Sequence, residues 1–159
     1  MNKQQLNKLF FYKDGVLYWK NPKSNRLKIG DKAGAVAPDK RERICLNGKL
    51  ILTHRVIFAF HNDYWPKFVD HIDGNKANNK IENLRPTNLS QNQWNRKIDG
   101  RNKSGVKGVY FDNARNKWVA GIRKNNKKIF LGRFDTLKEA KKQIEIHRTQ
   151  IHGEFARNF

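Results

Sequence analysis

The sequence predicts an α+β protein built from two modules, and three observations carry that prediction. Residues 69–92, VDHIDGNKANNKIENLRPTNLSQN, read as strand, polar loop, strand and helix. After Ser104, three strand-like runs joined by short polar connections end in one amphipathic helix. Between these, residues 95–105 turn polar, basic and glycine-bearing, without apolar periodicity. The expected division is a first module over 1–98, a basic linker over 99–104 and a second module over 105–159.

Along the chain, Leu6, Leu9 and Phe10 share one face and predict a short helix over 3–12. Asp14-Gly15 is a turn signal, and VLYW at 16–19 is rich in strand formers. Residues 21–31 form a polar loop, and 33–37 a short apolar piece. Asn47-Gly48 between the runs 43–46 and 50–53 demands a tight primed turn and hence a hairpin. Thr53 is expected to cap a helix over 54–60, with Val56, Ile57 and Phe60 toward a core. Phe68-Val69 opens the first strand of the central stretch and residues 83–86 return as the second. Leu89 to Arg96 then forms a helix capped by Thr87 or Asn88. In the second module the strands are 106–111, 117–123 and 127–134. A helix over 137–152 follows, with a capping box from Thr136 and Glu139 and an apolar face of Leu137, Ala140, Ile144, His147 and Ile151.

Charge narrows the class of partner. The 159 residues carry a formal net charge of +20, which favours a polyanion, nucleic acid before an anionic membrane surface. Both modules share it: residues 103–159 hold 14 Lys and Arg against 5 acids, leaving +11 to the rest. No apolar run approaches the ~18 residues of a spanning helix, and the first residues lack a signal-peptide core. The expectation is a cytoplasmic chain that needs no membrane and no small-molecule cofactor. Cys45 is the only cysteine, so paired-cysteine zinc sites are excluded and no zinc is expected.

The chemistry concentrates in the central stretch. A carboxylate and an amide oxygen, as on Asp70 and Asn92, are hard ligands suited to Mg²⁺, Mn²⁺ or Ca²⁺. A neutral imidazole beside such an ion, here His71, can take a proton from water near neutral pH. The spacing fails the EF-hand pattern, because placing Gly74 sixth puts Lys80 at the twelfth position. Asn75, Asn78 and Asn79 are read as turn chemistry, and His54 either as lying near the metal site or as a core hydrogen-bonding residue.

Asp70-His71, Asn83-Leu84 and Asn92, preceded by THRVIFAF, resemble the HNH endonucleases, in particular their phage and homing branch. The resemblance implies a ββα-metal fold in which His71 is the general base. Asp70 and Asn92 would hold one divalent ion, Mg²⁺ or Mn²⁺, and Asn83 would brace the loop and orient His71. Arg55 either binds phosphate or braces the loop; Arg85 and Arg96 are further candidate DNA contacts.

In the second module, Gly108-Val109, Trp118 with Ala120 and Ile122-Arg123, and Leu131-Gly132 with Phe134 and Thr136 resemble the APETALA2-type DNA-binding domain. That likeness implies a sheet entering the major groove. Lys107, Tyr110, Arg123, Lys128 and Phe130 would occupy the reading positions, with Arg115 or Lys117 at a turn. Together the two resemblances imply a metal-dependent, site-specific endonuclease of double-stranded DNA of the homing type. A monomer is expected, with a dimer the alternative if both strands are cut. The competing readings are a non-catalytic DNA-binding regulator and an RNA-binding structural protein.

Overall fold

The computed structural model describes residues 1–124 and 127–158. It divides into two compact units, Met1–Asn88 and Leu89–Phe159.

In the first unit, α1 (Lys3–Leu9) starts with a reciprocal capping box between Asn2 and Gln5. It stops at Leu9, short of the helix expected to residue 12. Phe10 instead opens β1 (Phe10–Lys13), which pairs with β2 (Val16–Trp19) across the Asp14-Gly15 turn. That pairing sets the Phe10 ring against Trp19, centroids 4.6 Å apart, so cross-strand burial overrides the helical period. The two-residue β3 (Ala35–Val36), β4 (Glu42–Leu46) and β5 (Lys49–Leu52) form an antiparallel sheet in that order. At its hairpin, Asn47 and Gly48 both take positive φ, 51° and 75°, as a primed turn requires.

Helix α2 (Thr53–His61) follows directly. Thr53 does not cap it: the cap position is Leu52, and Thr53 is the first helical residue, its hydroxyl buried. Val56, Ile57, Phe58 and Ala59 are buried, joined in one core by Leu6, Phe10, Leu17, Ile44, Val69 and Leu84. The last two belong to β6 (Phe68–His71) and β7 (Leu84–Thr87), an antiparallel pair against which α2 packs.

The second unit begins with α3 (Leu89–Trp94), so the division falls ten residues before the expected boundary at 98. The segment after α3 is tied to this unit: Lys107 Nζ donates to the carbonyls of Trp94 (2.6 Å) and Arg96 (2.7 Å), and the Trp94 ring stacks on His152. The sheet order is β10 (Lys127–Phe134), β9 (Lys117–Lys124), β8 (Val109–Asp112), all antiparallel. Strand β8 starts at Val109 and not at Val106, because Gly108 turns the chain with φ +80°. The connection expected over 124–126 falls, for Asn125 and Asn126, outside the described residues. Helix α4 (Leu137–His152) packs mainly on β9 and carries the Thr136–Glu139 capping box. Its buried positions are Ala140, Ile144, Arg148 and His152, an i, i+4 row; Arg148 and His152 take the inner places expected for His147 and Ile151.

Candidate active site

Strand β6 is buried along Val69, Asp70 and His71, because α2 covers the β6–β7 pair. The register sets Asp70 opposite Arg85 and His71 opposite Leu84. Asp70 and Arg85 therefore meet inside the ladder, Oδ2 to Nη2 at 3.3 Å, each side chain 10% exposed. Arg85, a candidate DNA contact by sequence, is thus enclosed beside Asp70.

The loop from β6 to β7 is built on Asn83. Its Nδ2 donates to Asp73 Oδ1 (2.9 Å) and to the Asn78 carbonyl (2.8 Å), its Oδ1 accepts from the Asp73 amide, and its carbonyl from the Ile72 amide. Asp73 also accepts from the Asn75 amide and Asn78 Nδ2. Burial alone would raise the Asp73 pKa, but these donors outweigh it and hold the carboxyl below its ordinary value. Asn83 thus braces the loop. The His71 ring meets a different asparagine: its Nε2 lies 2.9 Å from Asn79 Oδ1. Asn79, read from sequence as turn chemistry, is only 6% exposed and reaches Glu42 Oε2 through its Nδ2 at 3.3 Å. Glu42 is in turn paired with Lys32 at 2.6 Å. The one sequence signal for Asn79 is its place eight residues after His71, where the loop folds back.

His54, in the first turn of α2, sets its ring against His71, centroids 4.9 Å apart in an edge arrangement. Burial, and then the charges of His71, Arg41 and Arg55, push its pKa down to about 3. Arg55 donates through Nη2 to the Pro66 carbonyl at 3.2 Å, a bracing contact. Asn92 lies on α3, in the second unit. Among the described residues, no three His, Cys, Asp or Glu side chains converge as a metal cage.

In the second unit, registered pairs share a face of the sheet. Tyr110 opposes Val119, Gly121 opposes Phe130 and Arg123 opposes Lys128. Lys128 Nζ lies 5.3 Å from the Tyr110 ring and Arg133 5.1 Å from the Phe130 ring. Tyr110 and Phe130 are half exposed. The structure therefore groups Tyr110, Arg123, Lys128 and Phe130, and adds Arg133, which has no counterpart among the sequence-predicted contacts. Lys107 departs from this face. Its ammonium is taken up by the carbonyls of Trp94 and Arg96, and burial with nearby arginines pulls its pKa down to about 8. Arg115 pairs with Asp112 at 3.3 Å, and Lys117 with Asp135, both at strand ends. Arg96 is exposed just beyond α3.

Residues 52–93 match the family model for HNH endonucleases. That span covers Asp70, His71, Asn79, Asn83 and Asn92, and it runs across both units. The chain is 36% identical over 106 residues to protein 3.8 of Escherichia phage T7, a match covering 65% of this chain and 87% of that protein. It is 34% identical over 89 residues to an uncharacterized HNH endonuclease of Acanthamoeba polyphaga mimivirus, covering 56% of this chain but only 45% of that relative. No solved structure matches the chain at significance.

Proposed function

Because this chain belongs to the same family as protein 3.8 of Escherichia phage T7 and carries an HNH endonuclease domain, we propose that it is a divalent-metal-dependent endonuclease of double-stranded DNA. The observation that carries the reading is the pairing of Asp70 and His71 on one short buried strand, above a loop braced by Asn83. The net charge of +20 supports a nucleic-acid substrate.

The donor types fit a hard cation. Asp70 and Asn92 would hold one Mg²⁺ or Mn²⁺ through a carboxylate and an amide oxygen, the rest of its shell being water and substrate phosphate. When bound, the ion supplies Lewis-acid stabilisation of charge on the phosphate and the departing oxygen. His71 acts as general base: it takes a proton from water as the water oxygen bonds to phosphorus. The P–O3′ bond breaks on the opposite side, leaving a 5′-phosphate and, after protonation, a 3′-hydroxyl. Asn83 holds the loop so that His71 keeps its place.

The C-terminal unit is read as an APETALA2-like DNA reader that would make the enzyme site-specific, in the manner of homing endonucleases. Support comes from the Tyr110, Arg123, Lys128 and Phe130 cluster, which combines cations with half-exposed rings. The test is conversion of supercoiled DNA in Mg²⁺ or Mn²⁺ by the wild type and by His71→Ala. Conversion by the wild type that disappears in the variant and in chelator supports the nuclease, and nicked against linear product gives the number of strands cut. DNA binding without cleavage in either metal would overturn it in favour of a non-catalytic regulator.

A further inference from the structure

We propose that Asn79, held by Glu42, is a positioning residue that keeps the proton of neutral His71 on Nε2 and leaves Nδ1 as the basic atom. The proposal rests on the reading of His71 as general base and adds the residue that decides which of its nitrogens accepts the proton.

The direction of the hydrogen bonds decides it. An amide offers an oxygen that only accepts and a nitrogen that only donates, and which of them faces a neighbour is fixed by the surrounding network. Asn79 stands between two groups, His71 Nε2 at 2.9 Å and Glu42 Oε2 at 3.3 Å. A carboxylate only accepts, and the other oxygen of Glu42 is paired with the Lys32 ammonium at 2.6 Å. The amide nitrogen must therefore face Glu42; the reversed amide would set two acceptors against each other. Its oxygen then faces His71, and an amide oxygen accepts only from a protonated ring nitrogen. Nε2 is thus N–H, and in the neutral ring the lone pair sits on Nδ1. Asn79 is 6% exposed and His71 7%, so bulk water is poorly placed to take over the contact.

The same chain of contacts serves the reaction. Once Nδ1 has taken a proton from water, the ring carries a positive charge, and its Nε2–H still donates to Asn79. The Glu42 carboxylate sits on the far side of the amide, where it polarises the amide oxygen toward the imidazolium.

The decisive measurement is the tautomer, which needs neither metal nor substrate. Long-range ¹H–¹⁵N correlation on the histidine-labelled full chain, with His71 assigned by His71→Gln, should show Nε2 protonated and Nδ1 bare. Asn79→Ala should let both tautomers appear and lower kcat by about 10- to 100-fold, a part of the ~10²–10⁴ a general base supplies, with KM changed less than about 2-fold. Asn79→Asp alone would set two carboxylates together, so the rescue is the exchange Glu42→Gln with Asn79→Asp. It restores an acceptor facing Nε2 and a donor facing that acceptor, and should recover the wild-type tautomer and most of kcat. A wild type protonated on Nδ1, or an Asn79→Ala chain with wild-type tautomer and kcat, would overturn the proposal. A wild type that shows the Asn79-dependent tautomer but cuts no DNA would sink the nuclease reading and leave the tautomer assignment standing.

Discussion

Asp70 and Arg85 face each other across the β6–β7 ladder, Oδ2 to Nη2 at 3.3 Å and both nearly enclosed. Removing one partner of a buried pair leaves the other charge uncompensated, a cost of roughly 3–5 kcal/mol. Arg85→Leu should therefore lower the melting temperature strongly. Asp70→Asn combined with Arg85→Leu should recover much of the loss, because neither charge of the pair then remains. A double-mutant cycle in urea checks this, and a coupling near zero would show that the pair carries no stability. If Asp70 is also the metal ligand, Mg²⁺ or Mn²⁺ should raise the melting temperature of Arg85→Leu and leave Asp70→Asn unmoved.

His54 brings a pH dependence of definite sign. Its pKa is about 3 in the folded chain, by burial first and then by the charge of His71, against about 6.5 when unfolded. Between those values the unfolded chain binds a proton that the folded chain refuses, so stability rises with pH. It is lost as pH falls below about 6.5, by up to ~1.4 kcal/mol per pH unit. Urea unfolding at pH 7 and pH 5 should show a shallower fall for His54→Phe than for the wild type; equal falls would mean that another group sets the acid limit.

What could be read from the chain alone follows how local each signal is. The Asn47-Gly48 hairpin and the Thr136–Glu139 capping box depend on residues within a few positions and on backbone geometry that few residue types accept. Asp70, His71 and Asn83 were legible because the whole pattern over 69–92 is dense. Asn79 was not, because its role depends on Glu42, 37 positions away, and an asparagine in a polar loop satisfies turn chemistry equally well. Arg148 was missed for a similar reason. Its inner place is set by the Lys107 carbonyl and by Asn158 Oδ1 at 2.6 Å, partners that no helical period reveals. Lys107 has the sequence position of a sheet-face cation, and only the fold of the chain after α3 brings the two carbonyls to its ammonium.

Gly108 marks where the second unit tolerates no side chain. A Cβ there would lie 2.6 Å from both the Gly121 carbonyl oxygen and Ile144 Cδ1, at φ +80°. Gly105 also has positive φ, +67°, but its Cβ would meet nothing within 4 Å. Gly105→Ala should cost about 1–2 kcal/mol from backbone conformation alone. Gly108→Ala should cost about 3 kcal/mol or more, because overpacking against β9 and α4 adds to the same penalty. Chemical denaturation of the pair separates the two effects, and similar losses would count against the close packing of Gly108 on Gly121.

Lys107 should be structural in its first effect. Its ammonium satisfies the carbonyl of Trp94, at the end of α3, and that of Arg96 two residues beyond. Lys107→Met keeps most of the stem and removes both bonds, costing about 1.5–3 kcal/mol. Hydrogen exchange should quicken in α3 and in residues 95–96, while amides of the β6–β7 pair keep their protection. Unchanged exchange in α3 would make DNA contact the better role for Lys107.

The sheet-face cations make a prediction that separates phosphate contact from base reading. Arg123 and Lys128 are exposed and opposed in register, so both can reach one duplex. Removing one cation from a DNA phosphate should lower the slope of log affinity against log salt by about 0.9. Lys128→Ala should therefore weaken binding to all duplexes alike and flatten the slope by roughly that amount. An arginine that reads a guanine behaves otherwise, since its removal costs about 1–3 kcal/mol on the preferred site and little on random DNA. Arg123→Ala should thus shrink the ratio of specific to random affinity more than it flattens the slope. Tyr110→Ala and Phe130→Ala remove rings and no charge, so affinity should fall at an unchanged slope. Fluorescence anisotropy from about 50 to 200 mM NaCl, on a selected and a scrambled duplex, reads all four. If every variant binds as the wild type does, this face of the sheet is not where DNA sits.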